Sequence, residues 1–233
     1  MKLLTMSNPK TAKGESLGYL SFILHLAPGR LSGFQTCPGA SAGCLASCLN
    51  TSGRGRFTRT QEARIAKTRR FFLDRAAFMA QLLKDVQSAE RKARRLGLVP
   101  VFRLNGTSDI RWENIPVQKD GETFPNIFQA FPLLTFYDYT KLPNRRNIPA
   151  NYHLTFSRSE ENGDKVAEML AQGFNVAALF DSLPETFLGF PVIDGTEHDL
   201  RFLDRKGVIV GLVPKGKAKT DTSGFVVQLR KAS

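Results

Sequence analysis

The sequence has few cysteines that could form disulfides and no long apolar run that could cross a membrane. Its 233 residues include 3 Cys, 3 His and 1 Trp, and no apolar run approaches the roughly 18 residues that span a bilayer. The segment from Met1 to Lys13 has no continuous apolar stretch of the kind found in secretory signals. These absences argue against a membrane-spanning or disulfide-rich secreted protein and predict a cytoplasmic one.

Positive charge, in contrast, is present in excess. Lys and Arg number 33 against 21 Asp and Glu, a formal net charge of +12. Two segments carry the excess: residues 54–95 have 13 basic and 4 acidic residues, and residues 205–231 have 7 basic residues and 1 acidic residue. Concentrated positive charge attracts polyanions, so both segments are predicted to contact DNA or RNA. A charged face that serves only solubility is the alternative, because no base-reading motif accompanies the charge.

Short apolar segments separated by helical or polar connections predict the fold. Strands are expected at 17–27, 98–104, 133–137, 152–156, 174–180 and 190–193, and helical spacing between 58 and 96 indicates one long helix or two shorter ones. This alternation is typical of parallel βαβ units. We predict an α/β fold: a partial (β/α)6-type barrel with mainly parallel strands. A C-terminal strand or hairpin, from 208–213 and 225–229, is expected to extend it.

The predicted domain organisation is simple. Residues 1–233 are expected to form a single domain, with a cysteine loop at 28–55 and a basic C-terminal segment at 205–233. The apolar stripe of the helical region should face the sheet, which leaves its arginines outward. These are Arg64, Arg69, Arg70, Arg91, Arg94 and Arg95.

All 3 cysteines fall in that one loop, where Cys37, Cys44 and Cys48 form a C-x6-C-x3-C pattern. Thiolates are soft ligands suited to zinc, Cu(I) or iron–sulfur clusters. A structural zinc needs four protein ligands, whereas a [4Fe–4S] cluster can leave one iron open to a small molecule. We therefore favour the cluster. The alternatives are zinc completed by a carboxylate or one of His25, His153 and His198, and three inert buried cysteines.

Polar residues follow several of the predicted strands. Asn105 to Asp109 come directly after the strand at 98–104, and Ser157 to Glu160 follow the strand at 152–156. Parallel α/β sheets bind ligands beyond the carboxyl ends of their strands. The cysteine loop also follows a strand, so we expect all three segments on one face.

This arrangement resembles the radical S-adenosylmethionine enzymes, in which a three-cysteine loop follows the first strand of a partial barrel. Their usual spacing is C-x3-C-x2-C, from which the present pattern differs. The resemblance implies that the three cysteines hold irons, that the fourth iron binds S-adenosylmethionine, and that an external donor supplies an electron. It assigns cofactor binding to the strand-end residues Asn105, Gly106, Ser108, Asp109, Ser157, Arg158 and Glu160.

A more specific resemblance covers both ends of the chain. The loop CPGASAGCLASCLN and the stretch VIDGTEHDLRFLDRKGVIVGLVPKGKAKTDTSGFVV resemble a family of phage proteins called gene product 88. This resemblance implies a viral origin and a place in the cytoplasm of a bacterial host. It implies no particular chemistry.

The sequence thus predicts an iron–sulfur protein, similar to radical S-adenosylmethionine enzymes, that acts on or binds nucleic acid. One alternative is a non-catalytic nucleic-acid-binding protein with a structural metal held by the cysteines. Another is a metal-dependent nuclease or hydrolase that uses His198 and the carboxylates around it. Those carboxylates also fit an ordinary solvated turn, because Asp194 and Gly195 form a turn signal.

Overall fold

The computed structural model describes residues 2–6 and 13–229. Met1, residues 7–12 and residues 230–233 lie outside the described residues, so the basic C-terminal segment is described as far as residue 229. The strands, in chain order, are β1 (Leu4–Thr5), β2 (Tyr19–Leu24), β3 (Val99–Arg103), β4 (Val117–Lys119), β5 (Glu122–Phe124), β6 (Thr135–Thr140), β7 (Tyr152–Ser157), β8 (Asn175–Phe180), β9 (Thr186–Phe187), β10 (Phe190–Asp194), β11 (Ile209–Leu212) and β12 (Val226–Val227). The α-helices of the core and the site are α1 (Ala42–Ala46), α2 (Thr58–Leu73), α3 (Arg75–Arg95), α4 (Ile127–Ala130) and α5 (Val166–Ala171).

The central sheet is mostly parallel, as the sequence predicts. Among the described residues, seven neighbouring strands run in one direction, in the order β2-β3-β6-β7-β8-β11-β10. Antiparallel β1 and β9 lie at the two edges, and β4 pairs with β5 in a separate hairpin. The protein is therefore a mixed α/β fold, and the carboxyl ends of its parallel strands meet at one edge of the sheet.

Helices α2 and α3 cover one face of the sheet. They are two helices rather than one because the chain breaks at Asp74, whose side chain accepts a hydrogen bond from the backbone N–H of Ala77 at 3.2 Å. The buried apolar stripe of α3 packs against alternate strand residues, among them Phe22, Phe102 and Phe136. No helix in the described part of the chain is long and apolar enough to cross a membrane.

An irregular segment, residues 198–204, covers part of the opposite face. Leu200 is buried against Val101 and Tyr137, and Phe202 packs beside them. Strands buried on both faces must be apolar on both sides, which explains the continuous apolar runs of the sequence.

Two of the four carboxylates near His198 form ion pairs. Asp199 Oδ2 lies 2.7 Å from Arg103 Nη1, and Asp204 Oδ2 lies 3.2 Å from Arg201 Nη1. These carboxylates balance arginines that are themselves almost fully buried. The arrangement favours a packing role for this segment over a divalent-cation site.

The predicted C-terminal strand is present, but the predicted hairpin is wrong. Within the described chain, β11 and β12 do not pair with each other, because both pair in parallel with β8. Strand β7 ends its pairing with β8 at Ser157 opposite Ala177. The last residues of β8, Leu179 and Phe180, are thereby left for β12.

The predicted outward position of Arg64 is also wrong. Residues 64, 67, 68 and 71 recur at helical spacing on α2, and all four are buried. Helix α2 therefore turns a face of mixed polarity, with Arg64 and Lys67 on it, towards the interior. The sequence did not predict the buried position of Arg64, because the apolar stripe used to orient the helical region runs mainly along α3.

Candidate functional site

The cysteine loop lies across the carboxyl ends of the parallel strands. Cys37 Sγ is 3.7 Å from the carbonyl oxygen of Thr107, which follows β3. The positively charged side chain of Lys141, which follows β6, is close enough to Cys44 to oppose the rise in the pKa of its thiol. The loop is held to a third strand end by Glu160, which follows β7.

Helix α1 within the loop is fixed by that glutamate. Ser41 begins the helix: its Oγ accepts a hydrogen bond from Cys44 N at 3.2 Å and donates to Glu160 Oε2 at 2.8 Å. Gly43 N donates to Glu160 Oε1 at 2.7 Å. A Cβ at Gly43 would collide with Glu160 and Ser223, so the close approach of these segments requires a glycine there.

Each cysteine is partly buried, and the sulfurs of Cys37 and Cys48 accept hydrogen bonds from backbone N–H groups. Gly29 N donates to Cys37 Sγ at 3.4 Å, and Asn50 N donates to Cys48 Sγ at 3.5 Å. At Cys44, the charge of Lys141 favours the ionised form of the thiol. Hydrogen bonds to sulfur stabilise thiolates and tune the potentials of iron–sulfur clusters.

Burial dominates the acid–base behaviour of the three thiols. It raises the pKa of Cys37 and Cys44, and it raises the pKa of Cys48 to about 11. Repulsion from the other two thiolates also raises the pKa of Cys48, so the three sulfurs lie within electrostatic range of one another. Without a bound cation, the loop therefore presents neutral thiols at neutral pH.

Within residues 2–6 and 13–229, no group of three or more His, Cys, Asp or Glu side chains could hold a metal ion. A single ion must contact all its ligands at about 2.0–2.3 Å. The irons of a cluster occupy separate corners, so its thiolates stand farther apart than those of one ion. The finding supports neither zinc, with a carboxylate or one of His25, His153 and His198 as fourth ligand, nor the cluster, so both stay predictions.

The predicted cofactor residues after β3 build the turn that follows this strand. Asn105 Oδ1 accepts hydrogen bonds from Ser108 Oγ at 2.9 Å and Trp112 Nε1 at 3.0 Å. Asp109 accepts from Lys141 N at 2.8 Å. Gly106 packs so closely on β2 that a Cβ would approach the carbonyl of Leu24 to 2.7 Å. These side chains lie beside the loop and are engaged with the protein itself.

The predicted residues after β7 are also brought to the loop. Ser157 Oγ accepts a hydrogen bond from Lys141 Nζ at 2.7 Å. Arg158 Nη1 donates to the carbonyl oxygens of Gly224 and Phe225 at 2.6 and 3.1 Å. Together with Glu160, these residues join the C-terminal segment and the cysteine loop to one strand end.

Lys141 is a site residue that the sequence did not reveal. It donates to Ser157, interacts with Cys44, and places its Nζ 5.2 Å from the ring centre of Phe225. A single lysine carries no motif. The available signal was its position just after β6, at the carboxyl end of a predicted strand.

The C-terminal basic segment contacts the cysteine loop just before the first basic segment begins. Gly216 packs against Ser52, and the short helical turns at Gly216–Thr220 and Leu49–Thr51 are in contact. Five exposed basic side chains lie on these turns or directly beside them. We call this set the basic rim: Arg54, Arg56, Lys215, Lys217 and Lys219.

A second basic feature lies at the opposite edge of the sheet. The end of α3 forms a shallow groove of about 350 Å³ lined by Ser88, Arg91, Arg94 and Arg95. Because α3 leads into the start of β3, this groove is at the amino ends of the strands. It is therefore remote from the cysteine loop.

Comparison with known protein families establishes the family of this chain. The model of a family described as gene product 88 matches residues 2–229. The chain belongs to the gene product 88 family. The resemblance seen at both ends thus extends over nearly the whole chain, and it makes this a phage protein. No curated protein and no solved structure matches the chain, and nothing in the comparisons supports the resemblance to radical S-adenosylmethionine enzymes.

Proposed function

We propose that this gene product 88 protein is an iron–sulfur protein whose [4Fe–4S] cluster is held by Cys37, Cys44 and Cys48. The observation that carries the proposal is the convergence of the three sulfurs on one loop at the carboxyl ends of the sheet. Each cysteine is partly buried and in electrostatic range of the others, two of the sulfurs accept backbone hydrogen bonds, and the charge of Lys141 acts on the third. This donor set fits an iron–sulfur cluster in its chemistry.

The residues of the chain have defined tasks in this proposal. A bound cluster supplies one-electron transfer. Ser41 and Glu160 fix the helical turn that carries Cys44, and backbone N–H groups of Gly29 and Asn50 donate to the other two sulfurs. Lys141 brings positive charge to Cys44, which lowers the cost of its ionised form.

The finer fold prediction, a partial (β/α)6-type barrel, belongs to the same proposal. Strands β2, β3, β6, β7, β8 and β11 lie side by side in chain order and are parallel. Each new strand of a (β/α) barrel is added in the same way beside the preceding one. In such a barrel the ligand site is at the carboxyl ends, where the cysteine loop lies.

The cysteines are tested by substitution with a matched control. Purified anaerobically, the variants Cys37→Ala, Cys44→Ala and Cys48→Ala are each expected to lose iron and the visible charge-transfer absorption of the wild-type protein. Ser47→Ala changes a buried loop residue beside Cys48 and is expected to retain both. Retention of iron by the cysteine variants would refute the assignment.

S-adenosylmethionine is the proposed ligand of the iron that no cysteine binds. Asn105, Ser108, Asp109 and Arg158 all form hydrogen bonds within the protein, so any of them that contacts the cofactor would exchange a present partner for it. Adding it to the reduced, loaded protein should change the electron paramagnetic resonance spectrum. An unchanged spectrum would leave an iron–sulfur protein that does not use this cofactor.

Nucleic-acid binding is a second candidate function, favoured by the contact of the C-terminal basic segment with residues 49–52, which directly precede the first basic segment. Segments far apart in sequence place their exposed positive charge in one basic rim beside the loop. A concentrated positive surface of this kind binds phosphate backbones without sequence preference. The rim would hold a DNA or RNA strand next to the proposed cluster.

A further inference from the structure

Arg64 is a buried cation without an acidic partner. Only 8% of the residue is exposed, on the inward face of α2. One of its guanidinium nitrogens, Nη1, donates to Asn50 Oδ1. Its Nε is buried and has no hydrogen-bond partner among the described residues, and no carboxylate in that part of the chain forms an ion pair with it.

Other buried arginines of this protein are neutralised differently. Arg103 is paired with Asp199, and Arg145 with Glu113. Burying a charge without a partner is costly, because the ion loses its hydration and gains nothing in return. Among these three arginines, Arg64 is the one that is buried without a carboxylate partner. We therefore expect an anion to bind beside it.

The surroundings of Arg64 point to the cysteine loop as the place of that anion. Among the described residues, Cys48 is the ionisable group whose negative form favours the charged state of Arg64. Asn50, which Arg64 holds, also donates its backbone N–H to Cys48 Sγ. The remaining titratable groups that interact with Arg64 are Lys67 and His25, and the pKa of each is lowered, so neither offers a negative charge.

We infer that Arg64 is the buried counter-cation of an anionic group bound at Cys48. On the proposed function, that group is the thiolate-ligated cluster. Arg64 is then a positioning residue: it holds Asn50 against Cys48 and balances the negative charge that iron and sulfide bring with the thiolates. In the metal-free protein, the guanidinium is uncompensated, because no carboxylate among the described residues forms an ion pair with it.

A purely structural arginine would behave differently from this counter-cation. If Arg64 served only to hold Asn50, its charge would have no consequence that depends on the cluster. The comparison of Arg64→Lys with Arg64→Gln isolates the charge. Both shorten the side chain and have similar helix propensity, but only lysine stays positive. Arg59→Gln removes an exposed charge from the same helix and is the control.

The experiment measures melting temperatures of the full chain, metal-free and after anaerobic loading with iron and sulfide. Metal-free Arg64→Gln is expected to melt at least about 3 °C above metal-free Arg64→Lys, because it buries no unpaired charge. In the loaded protein the order should reverse. The midpoint potential of loaded Arg64→Gln should also become more negative than that of Arg64→Lys, since a buried positive charge favours the reduced cluster. Arg59→Gln should change neither property.

The outcomes separate this inference from the proposed function. The same order of stability in both forms, or equal potentials, would overturn the counter-cation. Failure of the wild-type chain to take up iron and sulfide would overturn the proposed cluster. In that case the metal-free order still decides: Gln above Lys supports an uncompensated cation that serves another anion, and Lys above Gln refutes it.

Discussion

The carboxylate of Glu160 accepts a hydrogen bond from the backbone N–H of Gly43 at 2.7 Å. Glu160 follows β7, whereas Gly43 lies between Cys37 and Cys48 in the helical turn of the cysteine loop. Together with the hydroxyl of Ser41, which donates to the same carboxylate at 2.8 Å, this contact holds the helical turn of the loop to the end of β7. That turn carries Cys44, so substitution of Glu160 should affect the proposed cluster.

Substitution of Glu160 should loosen the loop. Glu160→Ala leaves the N–H of Gly43 and the hydroxyl of Ser41 without their acceptor, which is expected to cost about 1–3 kcal/mol in the free energy of unfolding. Urea unfolding and iron content measure the effect. Glu161→Ala, at the exposed neighbouring position, is the control and should change neither quantity. Equal behaviour of the two variants would contradict this role of Glu160.

Arg145 is expected to be essential for stability. Its guanidinium lies 2.6 Å from Glu113 Oε1 and 3.2 Å from Asp109 Oδ1, and it is almost fully buried. Arg145→Met would leave two buried carboxylates unpaired, at an expected cost of about 3–5 kcal/mol. The same change at the exposed neighbour Arg146 should cost almost nothing. Denaturant unfolding of the two variants compares them directly, and a similar loss for both would be inconsistent with a buried ion network.

His25 should make the metal-free protein sensitive to acid. Its pKa is lowered from 6.5 to about 3, first by burial and then by the charges of Arg64, Arg103 and Lys67, with Asp199 opposing them. Below pH 6.5 the unfolded chain therefore binds a proton that the folded protein does not. The contribution of neutral His25 to stability is present above pH 6.5 and is lost as the pH falls towards 3.

The measurement for His25 is a pair of unfolding curves. The free energies of unfolding of the wild type and of His25→Gln are compared at pH 7 and at pH 4.5. The wild type should lose more stability than the variant over this interval, since glutamine takes up no proton. A constant difference between the two proteins would show that His25 titrates alike in the folded and unfolded states.

Nucleic-acid binding should depend on the basic rim and on salt. The logarithm of affinity is expected to fall with the logarithm of salt concentration by about 0.9 per phosphate contact on duplex DNA and about 0.7 on single strands. Replacing Lys215, Lys217 and Lys219 by Gln should weaken binding and flatten this slope. Replacing Arg91, Arg94 and Arg95 by Gln removes equal charge from the groove at the opposite edge. Equal losses would indicate a response to net charge rather than a binding surface.

The sequence predicted the parallel sheet because its strands are apolar on both faces and separated by clear connections. It also indicated the loop over the strand ends, since a segment that follows a parallel strand emerges at that edge. Arg64 and Lys141 could not be recognised in the same way. The role of Arg64 depends on its contact with Asn50, and that of Lys141 on its contact with Ser157. Neither pair is close enough in sequence to form a local motif.

Local patterns also failed where a long-range partner decides the structure. Strand β12 pairs with β8 instead of β11 because β7 stops before the end of β8. The residues around β12 give no sign of where β7 stops. Likewise, Asp199 became a partner of Arg103 rather than a surface charge because residues 198–204 pack on the sheet. Tertiary contacts of this kind override local propensity.

The most direct test is the quantification of iron, acid-labile sulfide and zinc in the full chain purified without oxygen. We predict about four iron and four sulfide per chain, and no iron or sulfide in the variant that lacks Cys37, Cys44 and Cys48. Stoichiometric zinc without sulfide, or a wild-type chain that binds neither metal after reconstitution, would contradict an iron–sulfur site in this gene product 88 protein.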